Sequence, residues 1–343
     1  MRRQESGFPE LIHRGFTGYP QPAPVRRSIS KMTDLRKDSV TFVTVDDAGH
    51  DQRVDNFLLR HLKGVPKSHV YRILRSGEVR VNKGRVDASH RLQLGDVLRI
   101  PPVRVAQSAT PAGRAAPAQE FAIVYEDDAL LVIDKPAGVA VHGGSGVSFG
   151  VIEQLRAARP EARFLELVHR LDRETSGLLM LAKKRSALVK LHEMIRDNHM
   201  DKRYQALGVG DWPEARKQVK LPLLKFNLPD GERRVRVADD GQHAHTNFRV
   251  LKRASGFVLL EAQLKTGRTH QIRVHMAASG APIAGDEKYG DYAFNRELHK
   301  RGLKRMFLHA WRLRLNHPLT GAPLELLAPL PRELQSFLDT LSA

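Results

Sequence analysis

The stretch His169-Arg170-Leu171-Asp172-Arg173-Glu174-Thr175-Ser176-Gly177-Leu178-Leu179 sets a carboxylate between two arginines and then runs straight into apolar residues. Ahead of it, Phe164-Leu165-Glu166-Leu167-Val168 reads as a strand ending at His169. Behind it, Leu178-Leu179-Met180-Leu181-Ala182 reads as another. Asp172 therefore falls on a tight loop between two buried strands, where a rigid sheet can aim one side chain into a cleft. Arginines on both sides suit it to the work of a nucleophile or base rather than an acid. Judged by charge alone, an Arg-Asp-Arg cluster is more often a surface ion pair.

Around that loop, short strands alternate irregularly with helices. The pattern predicts strands at 123–125, 130–134, 203–209, 246–251, 258–264 and 313–315, and helices at 148–159, 185–198, 271–279 and 332–341. This order favours an α+β domain over residues 120–343, built on a mixed, largely antiparallel sheet with flanking helices and a cleft. Leu264-Lys265-Thr266-Gly267-Arg268-Thr269-His270-Gln271-Ile272-Arg273-Val274-His275-Met276 ends a strand, turns, and opens a helix near Thr269. Its arginines and histidines suit an anion at a helix N-terminus. As a metal site it is weak: no acid lies nearby, and a spacing of five puts His270 and His275 on different faces. Tyr204, in Asp201-Lys202-Arg203-Tyr204-Gln205-Ala206, reads on its own as a packed core aromatic.

Residues 41–104 form a smaller, basic α/β unit. A strand at 41–45 leads to a helix with Val54, Phe57, Leu58 and Leu62 on one face; Gly64-Val65-Pro66 breaks it. Lys67-Ser68 then opens a second helix with Val70, Ile73 and Leu74 inward. A strand and turn over 77–84 and a strand over 95–100 follow. Positions 53–104 hold twelve Lys/Arg against four Asp/Glu, a net +8. Arg60, Lys63, Lys67, Arg72 and Arg75 point outward from the helices, and the turn carries Lys83 and Arg85. Residues 1–40 lack periodicity and read as a disordered tail; a basic RNA-gripping arm, or translation starting at Met32, are the other readings. The Ala/Pro-rich stretch 105–119 reads as a linker that lets the two domains reorient.

The whole chain has 343 residues, with 56 Lys/Arg against 38 Asp/Glu for +18 and a sequence pI near 10.3. That excess calls for a polyanionic partner, nucleic acid above all. A basic membrane-surface protein is disfavoured for want of an amphipathic basic helix or a lipidation signal. With no cysteine there are no disulfides, zinc thiolates or thiol catalysis. No apolar run reaches ~18 residues, and no secretory leader is seen, so a cytoplasmic protein is expected.

The eleven-residue string resembles the catalytic motif of the RluA family of RNA pseudouridine synthases, whose essential aspartate falls here on Asp172. The same resemblance implies that the 264–276 string faces that aspartate, with Arg273 pairing with Asp172 and with Arg268 and His270 toward substrate. It implies that Tyr204 stacks on the target base and handles a proton, and that Leu308, in Phe307-Leu308-His309-Ala310, contacts the uracil. Lys135-Pro136-Ala137-Gly138 resembles a motif that braces the site. The basic unit resembles the S4 RNA-binding domain, which grips phosphates and 2′-hydroxyls by shape. Within the family, 62–68 and 77–83 look most like the RluC branch, which isomerises three uridines near the peptidyl-transferase region. The implied partner is 23S ribosomal RNA or a large-subunit assembly intermediate, met by a monomer without metal or cofactor.

The reaction breaks N1–C1′, turns the base and makes C5–C1′. It needs no redox change or energy input, in keeping with a sequence lacking a phosphate loop, dinucleotide fingerprint or zinc spacing. The base must leave its stack, at a cost of a few kcal/mol, and Arg170 is placed to occupy the vacated space. Whether Asp172 attacks C1′, attacks C6 or takes the 2′ proton stays open. Two other readings stand beside this one. A non-catalytic RNA binder would need only the first domain. A glycoside-cleaving enzyme would want paired carboxylates, for which only Glu174 is at hand.

Overall fold

A computed structural model of the chain describes residues 40–47, 49–62, 65–103, 116–144 and 147–341. The tail, Lys63, and most of the interdomain stretch lie outside the described residues. In the first unit, β1 (Thr41–Thr44), α1 (Val54–His61), α2 (Lys67–Arg75), β2 (Arg80–Val81), β3 (Gly84–Arg85) and β4 (Val97–Ile100) follow the expected order. The strands pair antiparallel as β1-β4-β2-β3. Strand alternation sends Val43, Leu98 and Val81 to one face, where they meet Phe57, Leu58, Val70 and Ile73 of the helices. The β2–β3 hairpin turns through Asn82 and Lys83, both at positive φ (49° and 69°), as its two-residue loop requires.

In the second unit a chain of short strands builds the large sheet. It begins with β5 (Ala122–Glu126) and β6 (Leu130–Lys135), then α3 (Val151–Ala158), β7 (Glu166–Leu167), β8 (Ser176–Ala182), α4 (Arg185–Arg196) and β9 (Asp201–Val209). There follow β10 (Gln218–Val219), β11 (Leu223–Asn227), β12 (Arg233–Val237), β13 (Thr246–Ala254), β14 (Phe257–Leu264), α5 (Gln271–Ala278), α6 (Tyr292–Lys300), β15 (Leu308–Asn316), β16 (Pro323–Leu327) and α7 (Arg332–Thr340). The sheet runs β10-β13-β14-β9-β15-β8-β6-β5, with β16 beside β15 and β7 beside β8, while β11 and β12 pair separately. Every pairing is antiparallel except β15 with β8.

The central strands are buried on both faces, which explains their unbroken apolar runs. Leu131, Ile133, Leu179 and Leu181 pack into the larger core, and their alternating neighbours Leu130, Val132, Leu178 and Met180 pack against Leu188 and Leu191 of α4. The strand expected over 164–168 shrinks to two residues, and the one expected over 313–315 grows to nine. The helix expected near Thr269 opens at Gln271. The two units touch where Arg185 Nε, at the start of α4, donates to the His50 carbonyl at 2.7 Å. Among the described residues no helix is long and apolar enough to cross a membrane.

Candidate active site

Asp172 lies on the loop between β7 and β8, held by anchors on both sides. Leu171 is buried, and the Asp172 carbonyl accepts the Thr175 N–H at 3.1 Å. Behind the loop stands Lys135, fully buried at the end of β6. Its ammonium donates to the carbonyls of Pro136 (2.7 Å), Val139 (2.8 Å) and Arg173 (3.1 Å). Burial, with the Arg305 charge adding, pulls its pKa down to about 7. In front, Arg305 Nη2 donates to Ser176 Oγ at 2.8 Å, and Ser176 Oγ lies 2.8 Å from His309 Nδ1. His309 Nε2 reaches the Ala328 carbonyl at 3.1 Å, which places the ring proton on Nε2 and makes Nδ1 the acceptor. Burial lowers the His309 pKa to about 4.

The loop faces a cleft of about 440 Å³, a volume suited to one nucleoside. Asp172, Arg170, Tyr204, Arg268, His270, Arg273 and Leu308 all line it. Among the described residues neither flanking arginine pairs with the carboxylate: Arg173 turns to Glu174 at 2.7 Å, and Arg170 is an exposed part of the cleft wall. The positive charge beside Asp172 comes from α5 instead: Arg273 Nη1 lies 3.3 Å from Asp172 Oδ2.

Arg273 is itself aimed by a residue the sequence reading missed. Asp286, buried, accepts Arg273 Nε and Nη2 at 2.7 Å each, the two-pronged geometry of a guanidinium–carboxylate pair. Its Oδ1 also accepts the backbone N–H of Lys288 and Tyr289. Burial works against the Arg273 charge, but the bonds and charges of Asp286, then Asp172, outweigh it and raise the pKa. Two prongs on Asp286 leave Nη1 free to reach Asp172. Arg273 also lies 5.1 Å over the Tyr289 ring.

His270 precedes α5 in the left-handed conformation (φ 52°), uncommon for a residue with a side chain. Its Nδ1 is 2.7 Å from the Tyr289 hydroxyl, whose oxygen accepts the Val235 N–H at 3.0 Å. The other ring nitrogen, Nε2, lies 3.9 Å from Asp172 Oδ2. Burial lowers the His270 pKa to about 4 although the Asp172 charge opposes it. The approach to α5 is fixed by Gln271, whose amide serves Thr266, the Arg268 N–H, the His245 carbonyl and Thr246. His275 points elsewhere, between Thr246 Oγ1 and the Leu221 carbonyl. Arg268 is exposed and donates to the His243 carbonyl at 3.0 Å.

Tyr204, on β9, is buried in the cleft wall. Burial, with the Asp172 charge adding, pushes its phenol pKa up. Leu308 opens β15 next to it, across from Ala206. Lys202 shares Tyr204's face of β9, two residues earlier, and also lines the cleft; burial lowers its pKa. Arg60, Lys67, Arg72, Arg75, Lys83 and Arg85 are all exposed on the first unit.

Comparison with known proteins draws these features together. The family model for RNA pseudouridylate synthase matches residues 129–278, and that for the S4 domain matches residues 52–98. Ribosomal large subunit pseudouridine synthase C of Escherichia coli (strain K12) is 52% identical over 315 residues, 90% of this chain and 98% of that protein. The protein of the same name from Pasteurella multocida is 51% identical over 308 residues, 88% and 94% of the two chains. Among solved structures, human RNA pseudouridylate synthase domain containing 4 superposes with TM-score 0.53 at 30% identity, covering 64% of this chain and 93% of that one.

Proposed function

Because this chain belongs to the RNA pseudouridylate synthase family, we propose that it isomerises specific uridines of large-subunit (23S) ribosomal RNA, at sites near the peptidyl-transferase region. It is an RNA pseudouridine synthase. Relatives that align over nearly their whole length carry the large-subunit rRNA assignment in their names. One observation carries the site: a single carboxylate, 3.3 Å from a buried guanidinium, opens on a nucleoside-sized cleft walled by an aromatic and a leucine.

The basic first unit holds the RNA by phosphates and 2′-hydroxyls through Arg60, Lys63, Lys67, Arg72, Arg75, Lys83 and Arg85, which gives affinity with strong salt dependence. The target uridine leaves its stack and Arg170, at the cleft mouth, fills the space. Its base lies between Tyr204 and Leu308, with Arg268, Lys202 and His270 toward the sugar-phosphate. Asp172, aimed by Arg273, then acts on C1′, on C6 or on the 2′ proton. N1–C1′ breaks, the base turns, C5–C1′ forms, the C5 hydrogen leaves as a proton and N1 gains one. No electrons leave the substrate, so no cofactor is called for. The enzyme works in the cytoplasm as a monomer on naked rRNA or an assembly intermediate.

The glycoside-cleaving alternative loses ground on the carboxylates. Glu174 pairs with Arg173 away from the cleft, and Asp286 is occupied by Arg273. The test uses an rRNA transcript tritiated at uridine C5, since each turnover releases that hydrogen to solvent. Wild-type protein releases tritium, whereas Asp172→Ala binds the transcript as well but releases none. Comparable release by the variant contradicts the assignment.

A further inference from the structure

The small sheet has a face that neither the helices nor the cleft uses. In register across its four strands, Phe42 pairs with Arg99, Arg99 with Arg80, and Arg80 with Arg85. Directly opposed residues share a face, so these four side chains form one row, spanning about 14 Å at the usual strand spacing. The alternate row, through Val43, Leu98 and Val81, is the buried one. Phe42 is 66% exposed, an unusual place for a phenylalanine, and Val97 beside it is 40% exposed.

We propose that this sheet face extends the first unit's RNA contact beyond Lys83 and Arg85, taking an unpaired stretch of the RNA by stacking a base on Phe42 and running its phosphates along Arg99, Arg80 and Arg85. Charge complementarity selects the occupant. The concavity over the row, about 1050 Å³, is lined by Arg80, Lys83, Arg85 and Arg99 against the single carboxylate Glu78. That carboxylate is engaged by Ser76 at 2.7 Å and Arg72 at 3.7 Å. Aromatic and guanidinium groups side by side are what a single strand requires: a platform for a base face and cations for its backbone. A duplex hides its base faces and has no use for Phe42.

Two of these cations are held by the backbone around them. Lys83 occupies the second position of the hairpin turn at φ 69°, where glycine is the unstrained choice. Arg85 packs its side chain over Gly77, whose own φ of +71° calls for glycine. Arg99 is aimed in turn by its bond to the Glu78 carbonyl at 2.8 Å.

The inference rests on reading the chain as an RNA enzyme, but its test is independent of turnover. Binding of the full-length protein to a labelled single-stranded RNA of a dozen nucleotides, lacking uridine, is followed by anisotropy across a salt series. Phe42→Ala is expected to weaken binding about tenfold with an unchanged salt slope, as loss of stacking does. Phe42→Trp restores affinity, and its added indole emission is quenched by the RNA. Arg80→Ala weakens binding and lowers the slope of log K against log salt by about 0.7, one phosphate's share. The proposal is overturned if Phe42→Ala binds within twofold of wild type, or if the matching duplex loses affinity to the same extent. Because the probe holds no uridine, neither outcome bears on whether Asp172 isomerises one.

Discussion

Asp286 aims the guanidinium that stands beside Asp172: Arg273 spends Nε and Nη2 on it and reaches Asp172 with Nη1. The acid lies thirteen positions beyond Arg273 and is 1% exposed. Breaking a buried ion pair by removing one partner strands the other charge, at a cost of about 3–5 kcal/mol. Asp286→Asn should lower stability by that order and slow turnover, because Nη1 loses its aim. Denaturant melts and tritium release check this, and wild-type values for both would contradict it. In the sequence, the Arg-Asp-Arg string pointed to Asp172 but offered the wrong arginines. Asp286 and the left-handed His270 with its Tyr289 partner were invisible there, because only folding brings Asp286 onto the guanidinium and side chains rarely announce positive φ.

At the level of elements the strands that carry the site were the most legible. Apolar runs at 130–134 and 178–182 are strands because the sheet is covered on both faces, and periodicity placed α3, α4, α5 and α7 within a few residues. The α6 helix was missed because it buries only Leu298 and so lacks an apolar stripe. The strand β10 was missed for its two residues, and β11, β12 and β16 because each buries a single side chain, Leu223, Val235 or Leu326, and so shows no apolar run. What no local pattern shows is the parallel junction of β8 with β15, which brings the Asp172 loop beside Leu308 and His309. That junction depends on Gly177. Its φ is +108°, and a Cβ there would lie 2.2 Å from the Ala310 carbonyl oxygen, part of a strand backbone that cannot yield. Gly177→Ala should therefore cost about 3 kcal/mol or more, read as a lower denaturation midpoint. An unchanged midpoint would mean that the junction is looser than this packing.

For the whole molecule, the charge of +18 and the basic first unit were readable from composition, and they match a polyanionic substrate. How stability varies with pH was not readable, because it depends on burial. The folded protein keeps His169, His270 and His309 neutral, with pKa values lowered to about 3, 4 and 4 chiefly by burial. Unfolded histidine takes a proton near 6.5, so between about pH 6.5 and 4 the unfolded chain binds more protons. Stability from these groups is complete above that window and falls as pH drops through it. Denaturant midpoints measured from pH 7 to 4 should decline through this range, and a flat profile would contradict the buried, neutral assignment.

Whether Asp172 drives uridine isomerisation in large-subunit rRNA is decided by pseudouridine mapping of unmodified 23S rRNA and of a large-subunit assembly intermediate, each incubated with the purified protein or with Asp172→Ala. New pseudouridines near the peptidyl-transferase region with the wild type, and none with the variant, are the predicted result. No new pseudouridine on either RNA, or the same sites with both proteins, would contradict the account.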